Sequence, residues 1–393
     1  MSVRATPSVR PRTGSGVVEA PSFFQRLREG RPFDKLRANG KKGIVLLGLA
    51  LAGAALAAPV PYPVVRPGVA LAFPRDHGAH SAFRIEWWYV TGWLRAEDGR
   101  DLGFQVTFFR TRPSADTGNP SRFAPEQVLF AHAALSDPKV GRILHGERAA
   151  RAGFGLAGAK ANDADVAIRG WRLRRLPDGR FATRVEAPGF ALDLLFRPTQ
   201  PAILQGQRGY SRKGPRPEQA SYYYSLPHLR VAGTVRRGDR AERVTGEAWL
   251  DREWSSDFLA GDAEGWDWTG LNLDDGAALT AFRVRRKGGG VVWAGGSYRY
   301  PDGRTVVFRP GDVAFRPTHV WRSRATGATY PVAQVLSVRL PDGVKRFPLR
   351  PLFPAQELDS RGAGLPVYWE GAVRTTGGRG YLELTGYAAP LAM

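Results

Sequence analysis

The sequence contains no cysteine. Disulfides, zinc–thiolate sites, iron–sulfur clusters, thiol nucleophiles and lipoprotein acylation are therefore excluded. Methionine is nearly absent, with only Met1 and Met393 among 393 residues. Acidic side chains are scarce as well, 36 against 57 basic ones, so the formal net charge is +21. Of those basic residues only eight are Lys. No run with helical periodicity exceeds about three turns, which argues against a helical fold. A dinucleotide fingerprint is missing, and no Lys-Ser/Thr follows Gly288-Gly289-Gly290, so a phosphate loop is excluded. Lys213 stands two residues after Ser211, where a nucleophile elbow needs Gly. The six histidines (His77, His80, His132, His145, His228, His319) lack metal-ligand spacing beyond a loose His77/His80 pair, and Asp262, Glu264 and Asp267 lack the calcium-loop pattern. No metal and no cofactor is expected. What the chain has in plenty is aromatic surface: 11 Trp, 12 Tyr and 20 Phe, which need a large core or a cavity.

One long apolar run exists. Residues 1–42 form a basic leader with ten Lys/Arg and three Asp/Glu. Lys41-Lys42 then precede an uncharged stretch from Gly43 to Ala58 that contains Ala55-Leu56-Ala57, a small-x-small exit. At 16 residues it is short for a spanning helix, which needs about 20. Residues 43–57 therefore read as the apolar core and cleavage site of a secretory signal peptide, with an uncleaved anchor as the alternative. The expected location is periplasmic or secreted. Without residues 1–57 the 47 basic and 33 acidic side chains leave +14. The arginines are dispersed, so no nucleic-acid partner is expected; an anionic membrane surface suits them better.

From Leu71 onward the pattern is strand and turn. Pro177-Asp178-Gly179, Pro301-Asp302-Gly303 and Pro341-Asp342-Gly343 are turn signals, and Asp98-Gly99 and Asp275-Gly276 are hairpin signals. Glu86–Leu94 and Leu102–Phe109 read as the arms of one hairpin, and Leu271–Leu273 with Ala278–Val284 as another. Residues 206–219 read as a long loop. Short strands at this spacing imply an all-β sandwich or barrel. At roughly 150 residues per barrel, 336 residues beyond position 57 suggest two. The expected division is 68–255 and 256–391.

Three regions concentrate aromatic and acidic side chains: Glu86-Trp87-Trp88-Tyr89, Ser221-Tyr222-Tyr223-Tyr224-Ser225, and Trp249-Leu250-Asp251-Arg252-Glu253-Trp254 followed by Trp266-Asp267-Trp268. On a strand Trp249, Asp251 and Glu253 share one face, while Arg252 points the other way. In an aromatic cavity, burial and mutual repulsion would raise one carboxyl pKa, giving an acid beside a carboxylate. Asp251 and Glu253 are the candidate catalytic pair. Trp249, Tyr222, Tyr224, Trp266, Trp268, Trp88 and Glu86 are candidate ligand contacts. The alternative is an ion-pair network among Asp251, Arg252, Glu253 and Glu86.

These elements, with Gly103–Arg110, His132 and Asp137, Tyr330-Pro331, Tyr368-Trp369-Glu370-Gly371 and Tyr381–Tyr387, occur in an order that resembles the AttH-like/carotenoid 1,2-hydratase family of predicted secreted hydrolases. The resemblance covers Phe73 to Tyr387. It implies two lipocalin-like antiparallel barrels side by side and an apolar ligand cavity. It also implies cofactor-free addition of water to an isoprenoid double bond, with Asp251 as proton donor and Trp249 as aromatic neighbour. Tyr222 and Tyr224 stand where the hydratases have His and Trp, which makes the chain more similar to the AttH-like branch. Three readings stay open at this point: a hydratase or hydrolase acting on an apolar, isoprenoid-like substrate; a non-catalytic periplasmic lipophile carrier serving an ABC-type transporter or the envelope; and a two-carboxylate glycosidase.

Overall fold

The computed structural model describes residues 62–113, 124–257, 259–363 and 366–391. The leader and signal-peptide reading of residues 1–57 lies outside the described residues. Among the described residues the fold is all-β, built as two antiparallel sheets of thirteen and ten strands. The chain leaves the first sheet at Ser255 and enters the second at Ala263.

The hairpin signals act as the turn chemistry requires. Ile85–Ala96 and Asp101–Thr111 pair across Asp98-Gly99, with Leu94 opposite Leu102. Gly99 sits at φ 79°, a left-handed value at which a side chain would be strained. This hairpin continues outward through Val128–Ser136 to Ile143–Arg151. On its other side Ile85–Ala96 pairs with Arg240–Ser255, which pairs with Ala220–Arg237. Phe190–Arg197 follows, and a meander runs back to the edge at Ala157–Ala159. The sheet curls until Ile143–Arg151 lies against Asp165–Ile168 and Phe181–Ala187. In the second sheet Ala263–Leu273 is flanked by Ala278–Arg286 and Gly378–Leu384, and Val367–Thr375 lies beyond the latter.

Each sheet wraps its own apolar core. Trp88, Phe104, Trp171, Phe196, Leu250 and Trp254 fill the first. Leu336, Leu349, Trp369 and Leu382 fill the second. A third cluster of Tyr89, Trp93, Trp249, Trp268, Phe282 and Tyr381 joins the sheets. At about 1.5–3 kcal/mol for each large side chain removed from water, this layer is a substantial adhesive. The central strands are therefore buried on both faces. Ala248 to Ser255 is buried without a break, where a strand with one wet face would alternate.

The loop expected at 206–219 contains a short strand, Tyr210–Arg212, paired with Ala220–Arg237. It delivers Lys213 to the layer between the sheets, a placement that the glycine and proline content did not announce.

Candidate active site between the sheets

Antiparallel register decides which side chains meet here. Asp251 lies opposite Tyr89 on one neighbour and Ser225 on the other. Glu253 lies opposite Trp87 and Tyr223. Since side chains alternate along a strand, Trp249, Asp251, Glu253, Trp87, Tyr89, Tyr223 and Ser225 share the face turned to the second sheet.

Asp251 is buried and accepts three hydrogen bonds. Ser225 Oγ donates to Oδ1 at 2.5 Å, Trp249 Nε1 to Oδ1 at 2.7 Å and the Tyr223 hydroxyl to Oδ2 at 2.7 Å. Trp268 Nε1, from the second sheet, donates in turn to the Tyr223 oxygen at 3.1 Å. No ion pair reaches Asp251 among the described residues. Its pKa is pushed up to about 7, because burial and the Glu253 charge outweigh the three donors that hold it down. The carboxyl is thus poised to hold or release a proton near neutral pH.

Glu253 has a different environment. Lys213 Nζ lies 3.0 Å from its Oε1, and the Ser221 hydroxyl donates to the same oxygen. The ammonium also sits 4.5 Å from the Tyr223 ring centre and 4.2 Å from that of Phe282. Glu253 is an ion-paired neighbour whose charge raises Asp251. The pair is asymmetric, one carboxyl with a cation and one without.

Two further carboxyls complete the layer, and the sequence reading missed both. Glu370 and Glu383 face each other across adjacent strands of the second sheet. Burial pushes both pKa values up, and charge repulsion between carboxyls adds to the effect. Gln105 Nε2 donates to Glu370 Oε2 at 2.6 Å, and the Trp266 indole bonds Glu383. Beside them His132 Nδ1 and the Tyr368 hydroxyl are 2.7 Å apart. The Tyr89 hydroxyl bonds the Glu370 carboxyl, whereas Gln105 Oε1 and His132 Nε2 are buried without a hydrogen-bond partner. Such atoms are uncommon in a packed interior and mark places that a ligand's polar group or a water can satisfy. Glu370 was visible in the Tyr368–Gly371 motif, but nothing in that motif places it opposite Glu383.

The remaining sequence candidates lie elsewhere. Tyr222, Tyr224, Trp88 and Glu86 face the interior of the first sheet, not Asp251. The Tyr224 hydroxyl is 2.6 Å from His77 Nδ1, and Tyr222 contacts the backbone of Arg66. Trp88 donates to His77 O at 2.9 Å and carries the Arg252 guanidinium 3.9 Å above its ring. Glu86 is ion-paired to Arg110 and Arg252 and accepts the His80 backbone N–H. Burial alone would raise its pKa, but Arg252, His80 and Arg110 hold it well below the usual carboxylate range. Half of the expected ion-pair network therefore exists, on the face away from Asp251. Trp266 and Trp268 do join the Asp251 side.

Two solvent cavities adjoin this layer. A 10 Å³ pocket, room for roughly one water, is lined by Trp93, Trp249, Asn272 and Tyr381. A groove of about 650 Å³ shares Glu247 and Arg379 with it.

A lipocalin-like pair of sheets enclosing a polar, aromatic layer is the class this geometry defines. The AttH-like family model matches residues 64–387, and the chain belongs to that family. A crystal structure of a protein assigned as AttH from Nitrosomonas europaea is 51% identical, with a TM-score of 0.77, covering 83% of this chain and 100% of that one. Kievitone hydratase from Nectria haematococca shares the fold at 13% identity and a TM-score of 0.62, covering 84% of this chain and 97% of its own. CghA with Sch210972 does so at 15% identity and a TM-score of 0.52, covering 85% and 96%. A search of curated proteins found no match.

Proposed function

We propose that the protein is an exported, cofactor-free hydratase acting on an apolar, isoprenoid-like alkene, with Asp251 as general acid. The observation that carries this reading is Asp251 itself: a buried carboxyl with no cation, three orienting donors and a pKa near 7. Neutral Asp251 gives its proton to one alkene carbon, and the π electron pair forms the new C–H bond. The cation left on the second carbon is stabilised by the π-systems of Trp249 and Trp268, which are tied to Asp251 directly and through Tyr223. Water bonds to that carbon and returns a proton to the Asp251 carboxylate. The raised carboxyls Glu370 and Glu383 keep the layer from accumulating negative charge. The fold shared with kievitone hydratase supports the architecture and leaves the substrate to this chain's own residues.

One observation favours the second reading, a carrier for lipophiles. The three donors on Asp251 also satisfy a permanently ionised, structural carboxylate. The discriminating variant is Asp251→Asn, which keeps size and polarity but removes the transferable proton. Assayed against a panel of apolar alkenes and esters, it should abolish turnover while ligand affinity changes less than about tenfold, ~1.4 kcal/mol. Surviving turnover would remove Asp251 from the mechanism. Absence of turnover in the wild type across the panel would favour the carrier.

A further inference from the structure

The groove of about 650 Å³ beside the Asp251 layer is lined by Arg95, Arg180, Arg197, Arg230 and Arg379, with Glu247 as the only carboxylate in its wall among the described residues. Arg197 and Arg230 stand directly opposite each other on neighbouring antiparallel strands. Like charges in that position repel and destabilise a sheet. Two arginines of this wall are answered by acids: Arg95 bonds Asp101 at 2.9 Å and Arg180 contacts Asp178 at 2.6 Å. Arg197, Arg230 and Arg379 have no carboxylate partner among the described residues. Glu247 is already engaged by His228 Nδ1 at 2.7 Å. Three uncompensated guanidiniums thus converge on one concave surface. Each presents a planar fork of donors suited to phosphate oxygens, and a concave wall focuses their field.

The groove also has a direction. Its Glu247 and Arg379 are shared with the small pocket, whose wall includes Trp249, the residue that donates to Asp251. The small pocket holds about one water, so a ligand lies along the groove itself, with its arginines on the open side and the Trp249 pocket closing its inner end. A single carboxylate head would answer only one of the three free cations, whereas a phosphate monoester or diphosphate head answers two or more.

We propose that this groove binds the phosphate or diphosphate head of an amphiphile whose apolar tail runs toward Trp249. This deepens the reading of the Asp251 layer as an apolar ligand site and rests on it for the tail. The head is carried by the arginines alone.

The test uses isothermal titration with three probes: decyl phosphate below its micelle concentration, inorganic pyrophosphate, and decan-1-ol. The variant is Arg197→Gln/Arg230→Gln, both exposed, so the fold should survive; circular dichroism and melting verify this. Decyl phosphate should bind wild type at least tenfold more tightly than either of the others. The double variant should lose at least tenfold toward decyl phosphate and keep the wild-type affinity for decan-1-ol. Rising salt should weaken decyl phosphate and leave decan-1-ol unaffected. Decyl phosphate binding indifferent to the two substitutions would overturn the groove assignment. Pyrophosphate binding as tightly as decyl phosphate would overturn the amphiphile and leave a free-anion site. A wild type that ignores decan-1-ol would instead count against the apolar layer at Asp251, so the two failures are told apart by different probes.

Discussion

Asp251 and Glu253 lie two residues apart on one strand face, yet one has a lysine and the other has only neutral donors. That difference leaves Asp251 an acid near pH 7 and gives Glu253 a cationic partner. It has a consequence for stability that does not depend on any substrate. A carboxyl whose folded pKa is raised binds its proton more tightly in the native state than in the unfolded chain, where Asp titrates near ~3.9. The native state therefore loses stability as pH rises from that value through about 7, and the loss is complete above it. Asp251→Asn has no such titration. Its amide misfits the three donors by an amount that does not change with pH. Relative to wild type, the variant should thus become more stable as pH rises from 5 to about 7, by an amount of order a few kcal/mol, and the difference should then level off. Denaturant melts at several pH values measure this, and a pH-independent difference would show that Asp251 titrates normally. The sequence announced the special character of this residue through the Trp249–Trp254 run. It could not announce Lys213, because the ion pair to Glu253 depends on how a glycine- and proline-rich loop folds back over the strand.

Strand parity was legible and cross-strand register was not. Trp249, Asp251 and Glu253 do share a face, and Leu250, Arg252 and Trp254 share the other, as alternation requires. Which aromatics on neighbouring strands join which face depends on a pairing offset of one residue, and that offset exchanges Tyr222 and Tyr224 for Tyr223, and Trp88 for Trp87. The strand Ala220–Arg237 adds a second element that sequence could not supply: its register shifts between Leu226 and Leu229, with His228 at φ 51°. The irregularity turns His228 toward the second sheet, where Nε2 lies 2.9 Å from Ala277 O while Nδ1 lies 2.7 Å from Glu247. Burial lowers its pKa, but Glu247 and the Ala277 carbonyl outweigh this and leave it raised. A protonated ring donates at both nitrogens; a neutral one must give up a donor. The sign follows: the extra stability is fully present below the unfolded pKa of about 6.5 and is lost as pH rises through the higher folded value. Wild type should therefore exceed His228→Gln in melting temperature by more at pH 6 than at pH 9. A gap that stays constant or widens with pH would contradict the doubly donating ring.

At the scale of the molecule, the two antiparallel sheets were readable from turn spacing, because a hairpin is a local feature. The layer between them was not, because it is made of pairs far apart in the chain. Trp93 Nε1 donates to Gly380 O at 3.0 Å, and Gln205 Nε2 to Thr280 Oγ1 at 2.9 Å. Ser297 Oγ donates to Gln205 Oε1 at 2.7 Å, and Asn272 Nδ2 to Ala248 O at 3.2 Å. Separating the sheets would expose the Trp249–Trp268 aromatics to water and break these hydrogen bonds. Each large aromatic side chain contributes about 1.5–3 kcal/mol and each hydrogen bond about 0.5–1.5 kcal/mol net once water replaces the lost partner. That sum is comparable to the 5–15 kcal/mol that holds a whole domain. Neither sheet should persist without the other. Calorimetry should show one transition whose calorimetric and van't Hoff enthalpies agree, and Trp268→Ala should lower that single transition without splitting it. Two resolved transitions, or a calorimetric enthalpy about twice the van't Hoff value, would mean that the sheets fold independently and that the Asp251 layer is only a contact surface between them.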